Sequence, residues 1–337
     1  MKELQIPEIV DLASAFYGSS VLFAALDAGV FAAIENAGGD AGLSTLAAAT
    51  GASERGLRML LDACVAVGLL AKDADAEVWR NTSAGRLALV PGGPADLTRA
   101  IAYNRDVYPA WGRLGEFVRT GAPVERPELH LGDDAARTRT FAASMRGRAF
   151  AIGRGVVPML DLAGRTRLLD LAGGPGAYAE LIVRANPGLS VVTVDLPAIS
   201  DAAAEFVAAD RLSDRIECRH GDYHADEYEA EGYDAATIFG ALHQESPEDI
   251  VAILRRAHRA LKPGGVLYVL DMMTDASRTF PPFSALFGLN MALTTRNGWV
   301  FSDAELKGWM REAGFAPGDT RAAPPPMPHW LVRATRR

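Results

Sequence analysis

Cysteine is nearly absent from this 337-residue sequence: Cys64 and Cys218 are the only two, and no CxxC pair exists. That excludes a zinc ribbon and a disulfide-stapled scaffold, and it fits a reducing compartment. Lysine is almost as scarce, with Lys2, Lys72, Lys262 and Lys307 the only ones among 34 Lys and Arg residues. Such a bias toward arginine reads as GC-rich codon usage rather than as a recognition surface. Against 42 acidic residues the net charge is −8 and the pI about 5.4, which argues against nucleic acid as the main partner. Long apolar runs are missing too. The longest uncharged run, Thr279 to Thr295, contains Pro281, Pro282 and Asn290 and is too short and broken for a bilayer. Asp11 and Asp27 bracket the first apolar stretch, so neither signal peptide nor membrane anchor is expected and the expected location is cytoplasmic. What is present is a 49% hydrophobic, 23% charged chain, long enough at roughly 150 residues per domain for about two domains.

The first of these, residues 1–94, reads as short helices with one β-ribbon. Apolar spacing predicts a helix over Val21–Glu35, ended by Gly38-Gly39-Asp40, then helices over Leu43–Thr50 and Ser53–Val67 with Ser53 as N-cap. Leu69–Ala71 and Val78-Trp79 flank a polar turn as a hairpin. Helix–turn–helix plus hairpin is a winged-helix pattern. A DNA-reading role fits poorly, because Arg55 and Arg58 on the would-be recognition helix are offset by Glu54 and Asp62 and its second half is apolar. An apolar helical module is better suited to pairing subunits.

Pro91-Gly92-Gly93-Pro94 marks the boundary to a second domain, 95–337, made of a helical lead-in (95–165) and an α/β core (166–337). In that core, strands over Arg167–Leu171, Ser190–Asp195, Ile216–Arg219, Asp234–Phe239 and Val266–Asp271 alternate with helices over Ala177–Arg184, Ala198–Ala209 and Pro247–Leu261. A helix over Ser302–Ala313 and a strand over Trp330–Ala334 close it. Such alternation predicts a Rossmann-like, doubly wound, mostly parallel sheet.

The first strand runs into Ala172-Gly173-Gly174-Pro175-Gly176 and a helix begins at once, a loop where backbone can approach a ligand closely. Asp195 ends the next strand, 19 positions after Gly176, where a carboxylate can accept from both ribose hydroxyls. A nucleoside-containing ligand follows. Gly174-x-Gly176-x-x-Ala179 formally satisfies the dinucleotide fingerprint, which alone is weak. Asp170 points at the loop and would repel a pyrophosphate but attract an ammonium or sulfonium. An adenosine ligand carrying those cations therefore fits better than a nicotinamide dinucleotide.

Leu169-Asp170-Leu171-Ala172-Gly173-Gly174-Pro175-Gly176 resembles motif I of class I S-adenosylmethionine-dependent methyltransferases. With the N-terminal module the chain is similar to small-molecule O-methyltransferases of the plant caffeate and bacterial polyketide or hydroxyindole type. The likeness extends through Trp79–Leu87, Gly221-Asp222-Tyr223, Leu289-Asn290-Met291, Ser302–Leu306 and Glu312–Phe315. The resemblance implies a winged-helix dimerisation domain and a homodimer. It implies S-adenosylmethionine as donor and S-adenosylhomocysteine as product, with no metal. Gly173, Gly174 and Gly176 would lie against the methionine part and ribose, Asp195 and Leu196 at the ribose, Asp222 and Tyr223 at the adenine, and Phe239 beside them. Phe141-x-x-x-Met145-x-x-Arg148 resembles a helix closing over the site, with Arg148 toward the methionine carboxylate.

Methyl transfer from a sulfonium needs alignment, and a hydroxyl acceptor needs a base. His243 follows the fourth core strand, and Asp271 ends the next one 28 residues later, the spacing of the family's catalytic His and its first acidic partner. A carboxylate there would fix the imidazole tautomer and stabilise the imidazolium. The remaining histidines, His130, His220, His224, His258 and His329, lack such a partner in the pattern. The family's His-Asp-Trp is replaced by His243-Gln244-Glu245, and its second acidic partner aligns with Val300; Glu245 could substitute. Met145, Phe283, Phe287, Asn290, Met291 and Trp299 suit a flat, apolar acceptor pocket. The expected reaction is methylation of a hydroxyl on a small aromatic or polycyclic molecule. C- or N-methylation on the same scaffold and a winged-helix ligand-sensing regulator are the alternatives.

Overall fold

A computed structural model describes residues 3–73, 75–125, 135–325 and 328–337. The described chain falls into two compact units, up to Arg105 and from Asp106 onward. This division lies eleven residues beyond the Pro-Gly boundary read from sequence, inside a continuous helix, Thr98–Trp111.

In the first unit, helices α1 (Ile6–Ser14), α2 (Phe16–Asp27) and α3 (Val30–Asn36) precede a short strand β1 (Ala41–Gly42). The helix expected over Val21–Glu35 is in fact two. Gly29 adopts φ +69°, a left-handed conformation that no helix continues through, and splits α2 from α3. Helices α4 (Leu43–Thr50) and α5 (Glu54–Ala66) follow, the latter capped by Ser53 accepting from Gly56 N. Strands β2 (Leu70–Asp73) and β3 (Val78–Asn81) form the hairpin, β1 pairs on β3, and Thr82 caps α6 (Ser83–Ala88). Phe31, Ile34, Leu46, Leu57, Leu61 and Trp79 make the buried centre of this unit. Ile6–Asp27, the stretch around the acids Asp11 and Asp27, reaches the length and apolarity of a membrane-crossing helix, with mean hydropathy 1.6 over its apolar window. Glu8, Asp11 and Asp27 punctuate it, and Ile6, Val10, Leu12 and Tyr17 leave an apolar face exposed.

The second unit opens with helix α7 (Thr98–Trp111) running into it, then α8 (Leu114–Thr120) and the long α9 (Ala135–Val156). Its core is a seven-stranded sheet in the order β6-β5-β4-β7-β8-β10-β9. The five parallel strands are β4 (Arg167–Leu171), β5 (Ser190–Asp195), β6 (Ile216–His220), β7 (Tyr233–Phe239) and β8 (Leu261–Asp271). Antiparallel β10 (Trp330–Arg336) and β9 (Phe315–Ala322) complete one edge. Helices α10 (Ala177–Ala185), α11 (Pro197–Ala209), α12 (Pro247–Ala260) and α14 (Asp303–Glu312) cover the sheet. On α12, Ile250, Ile253, Leu254 and Ala257 recur at helical spacing and are buried, while Glu248 and Asp249 sit on its positive N-terminal end. From β4 the chain steps outward to β5 and β6, then returns to β7 on the other side. The switch point between β4 and β7 opens a crevice at the strands' carboxyl ends.

Two elements of this unit were not expected. Thr279–Thr295 contains a helix, α13 (Pro282–Thr294), because Pro282 stands at the first turn, where the missing N–H costs nothing. Phe315–Ala322 is an edge strand in spite of Pro317, Gly318 and Asp319, and its pairing with β10 slips between Val332 and Ala334. The Lys262-Pro263-Gly264-Gly265 stop loops out of the β7–β8 ladder, since Tyr233 pairs with Leu261 and Ala235 with Val266.

Candidate active site

β4 leads into a turn through Ala172 (φ +53°), Gly174 (φ +56°) and Gly176 (φ +76°) before α10 begins. Position 173 admits only glycine: a Cβ would lie 1.7 Å from Thr193 Oγ1 and 2.7 Å from Asp170 Oδ2. A Cβ at 174 would meet nothing within 4 Å, so the loop is open to a ligand on that side.

Beneath the loop sits Asp170, 1% exposed. Thr237 Oγ1 donates to its Oδ1 at 2.6 Å from β7, and Thr193 Oγ1 to its Oδ2 at 3.5 Å from β5. Both threonines stand opposite Asp170 in the parallel registers. No cation of the described residues pairs with this carboxylate. Burial pushes its pKa up to about 7, against the two hydroxyl hydrogen bonds and with a further push from Asp195. A buried carboxylate without a counter-charge, under an open glycine loop, fits a ligand that brings its own cation and does not fit a pyrophosphate. Asp195 takes Gly174 N on Oδ2 and Leu196 N on Oδ1, both at 2.8 Å, tying the loop to the end of β5. Burial raises its pKa against those two bonds.

At the end of β7 the chain turns through Gly240 (φ +68°) into a 3-10 turn, Leu242–Gln244. It brings His243 onto the end of β8, where His243 Nδ1 lies 2.6 Å from Asp271 Oδ1. Asp271 is fully buried and also accepts from His243 N at 3.2 Å and Met272 N at 2.7 Å. With Nδ1 taken, Nε2 is the nitrogen left to accept a proton. Phe287 of α13 meets the His243 ring edge to face at 5.1 Å, and the Arg148 guanidinium of α9 lies 6.0 Å from the Phe287 ring centre.

The loop after β6 closes the other side. Gly221 N donates to Asp195 O at 3.0 Å. Asp222 Oδ1 accepts from His224 N at 2.8 Å and faces His224 Nδ1 at 2.9 Å. Glu245 is buried, with Tyr223 Oη donating to its Oε1 at 2.7 Å and His224 Nε2 at 2.7 Å from its Oε2. Both oxygens are thus committed away from His243, so Glu245 is not the substitute acid that the sequence allowed. Trp299 N donates to His243 O at 2.9 Å and its Nε1 to Glu245 O at 2.8 Å, which makes this residue a brace for the His243 loop.

Contacts thus link His243 to Asp271, Phe287 and Trp299, with Arg148 near Phe287, while Gly173, Gly174, Gly176, Asp170, Asp195 and Leu196 lie at the ends of β4 and β5 and Asp222 and Tyr223 in the turn after β6. Phe239, at the end of β7, is buried and meets Tyr178 edge to face at 5.0 Å. Asn290 accepts from Trp111 Nε1 at 2.9 Å, Met291 is buried and Met145 half-buried. Phe283, one turn before Phe287 on α13, is 49% exposed and stands at the solvent end of that stripe. Val300 is buried, so no acid stands there. His130 lies outside the described residues. Sequence reasoning missed the two threonines under the loop, the Glu245 clasp and His329. The His329 imidazole is buried, its Nδ1 has no hydrogen-bond partner among the described residues, and burial with the nearby Arg148 charge lowers its pKa to about 3. A polar residue inside an otherwise apolar strand was a usable signal for Thr193 and Thr237; for Glu245 and His329 none existed.

A glycine loop at the switch point, with a His–Asp pair at the ends of the neighbouring strands, fits a group-transfer enzyme acting on a small molecule. Comparison with known proteins gives the family. A family model for an O-methyltransferase domain matches residues 125–316, and one for an O-methyltransferase dimerisation domain matches 10–91. A 3-hydroxy-5-methyl-1-naphthoate 3-O-methyltransferase of Streptomyces sahachiroi is 32% identical over 91% of this chain and 88% of its own. A tetracenomycin polyketide synthesis 8-O-methyl transferase of Streptomyces glaucescens is 30% identical over 95% and 94%. The crystal structure of human N-acetylserotonin methyltransferase with SAM superposes with a TM-score of 0.88 at 26% identity, covering 99% of both chains. This chain belongs to the O-methyltransferase family, with that family's dimerisation domain at its N-terminal end.

Proposed function

We propose that His243 is the general base of this S-adenosylmethionine-dependent O-methyltransferase, with Asp271 orienting it, and that the acceptor is a hydroxyl on a small aromatic or polycyclic molecule. The observation that carries the proposal is the His243 Nδ1–Asp271 Oδ1 contact of 2.6 Å at the carboxyl edge beside the glycine loop. The donor supplies a methyl group on a sulfonium. Gly173, Gly174 and Gly176 let backbone reach it, Asp195 and Leu196 hold the ribose end, Asp222, Tyr223 and Phe239 the adenine end, and Arg148 the methionine carboxylate. Asp170, shielded beneath the loop, acts on the donor's cations through its field. His243 Nε2 takes the acceptor proton, and Asp271 stabilises the imidazolium so formed. Met145, Phe283, Phe287, Asn290, Met291 and Trp299 are assigned to the acceptor pocket and its mouth.

The relatives named above act on a hydroxynaphthoate and on a polyketide, which favours a phenolic acceptor over an aliphatic one. Two copies pair through the N-terminal unit, with 1–94 as the pairing domain and 95–337 as the catalytic one, and the dimer works in the cytoplasm. Incubation with methyl-labelled donor and a panel of hydroxynaphthoates and hydroxyindoles tests the reaction. Mass-spectrometric localisation of label on oxygen is expected, and label on carbon or nitrogen overturns it. Light scattering at twice 35.9 kDa is expected for the dimer.

A further inference from the structure

We propose that His224, held as an imidazolium between Asp222 and Glu245, is a proton-dependent clasp that fastens the adenine-side loop to the catalytic loop and so sets donor affinity. The proposal rests on the donor-site reading above.

Its basis is geometric. Each nitrogen of the His224 ring faces a carboxylate oxygen: Nδ1 to Asp222 Oδ1 at 2.9 Å and Nε2 to Glu245 Oε2 at 2.7 Å. A neutral imidazole has one N–H and one lone pair, so it satisfies one of these contacts and sets a lone pair against the other carboxylate. Only the cation donates to both. The two acids belong to different segments, Asp222 to the turn after β6 and Glu245 to the turn after β7, two residues beyond His243. Glu245 is also gripped by Tyr223 Oη, and its carbonyl by Trp299 Nε1. The clasp therefore joins the loop beside Asp195 to the loop that carries the base. His224 and Glu245 are positioning residues; neither touches the reacting atoms.

The charges facing the ring are Asp222 from its own turn and Glu245 from the catalytic loop, with Arg256 of α12 acting on Asp222. Burial opposes the cation, but the bonds and charges of Glu245 and Asp222 outweigh it and hold His224 above its ordinary value of 6.5. A raised histidine contributes fully below 6.5 and loses its contribution as pH rises through the folded value. Asp170 acts with the opposite sign, since its ionisation near pH 7 favours a cationic ligand as pH rises.

The test is calorimetric binding of S-adenosylhomocysteine from pH 6 to 9 by the wild type, His224→Gln and Glu245→Gln. Loss of the clasp, scaled for a half-exposed ring, should weaken wild-type binding roughly three- to tenfold across the alkaline limb. His224→Gln should bind at the weaker level throughout and lack that limb, apart from the fall caused by the ligand's own ammonium, which both proteins share. Turnover at saturating donor should stay within about twofold, so that the effect appears in KM and not in kcat. In the free protein, nuclear magnetic resonance should find the His224 ring titrating above 6.5 in the wild type and lower in Glu245→Gln. Identical pH profiles in wild type and His224→Gln, or a His224 titration unmoved by Glu245→Gln, overturn the clasp while leaving the donor site standing. Failure of the wild type to bind at any pH overturns both readings.

Discussion

In the proposed mechanism Asp271 acts on the reaction only through His243, and a double-mutant cycle exposes that dependence. In the single variant Asp271→Asn, an amide replaces a carboxylate that accepts from His243 Nδ1, His243 N and Met272 N. Its oxygen can keep Nδ1–H and Met272 N, so the productive tautomer survives, but the His243 N–H then faces an NH2 group. What is lost is the charge on the partner. A hydrogen bond to a charged group exceeds a neutral one by about 1.5 kcal/mol, so turnover should fall roughly tenfold. His243→Ala removes the base itself and should lower turnover by about 10² to 10⁴. In the His243→Ala background there is no imidazolium to stabilise, and adding Asp271→Asn should cost nothing further. Steady-state rates at saturating donor and acceptor for the four proteins supply the cycle, and donor binding by calorimetry should agree within about twofold throughout. If Asp271→Asn lowers turnover by the same factor with and without His243, Asp271 does not work through the imidazole and the assignment of the pair fails.

Gly173→Ala places a methyl 1.7 Å from Thr193 Oγ1, so thermal melting should register a loss of at least about 1–3 kcal/mol and donor binding should collapse; near-native binding would contradict the loop geometry. Asp170→Asn should have opposite effects on stability and binding. The folded carboxyl has a pKa near 7 against 3.8 unfolded, so its ionisation erodes stability as pH rises through that window; the amide should melt higher than wild type at pH 8 yet bind the donor more weakly. Calorimetry and melting at pH 6 and 8 check both halves. On α9, Arg146 donates to Glu180 and Asp210 at 2.6 Å each, and burial raises Glu180 to about 7 in spite of that arginine. Arg146→Ala should therefore destabilise the protein by about 3 kcal/mol above pH 7, where Glu180 would be a buried unpaired anion. The loss should shrink on acidification, and a pH-independent loss would show that packing against Phe150 and Phe206 is what Arg146 supplies.

The parallel half of the sheet was legible because local signals agree there. Arg167–Leu171 and Ser190–Asp195 are apolar runs ended by a glycine turn and by an acid, and no competing pattern overlaps them. Where signals conflict, the reading erred. Gly29 sits inside an unbroken apolar periodicity and was read as helix, although its left-handed backbone divides it. Pro281-Pro282 looked like a break, but a proline in the first turn begins a helix as readily as it ends one. Phe315–Ala322 forms an edge strand in spite of Pro317, because an edge strand tolerates a residue that cannot donate. The His243–Asp271 pair could be read because both residues end neighbouring parallel strands, so spacing along the chain becomes proximity in space. Glu245 could not. Its partners Tyr223 and His224 come from the turn after β6, which is three strands away from β7 in the sheet, and only loop conformations bring them together.

In the proposed mechanism, the missing second acid gives the site its chemical selectivity. Val300 is buried, and α13 approaches it so closely at Gly288 that a methyl there would touch Val300 Cγ2 at 3.5 Å. The neighbouring Trp299 N donates to His243 O at 2.9 Å, which ties this segment to the His243 loop. Asp271 must then stabilise the His243 imidazolium alone, while two backbone N–H groups draw on the same carboxylate. A base supported by one partly neutralised acid can remove a proton from a phenol, whose pKa is about 10, far more readily than from an aliphatic hydroxyl near that of water, about 16. Adding a carboxylate at 300 would bring a desolvated charge into apolar packing, where its burial would oppose the gain in basicity. The proposed mechanism thus favours acceptors whose hydroxyl is already acidic.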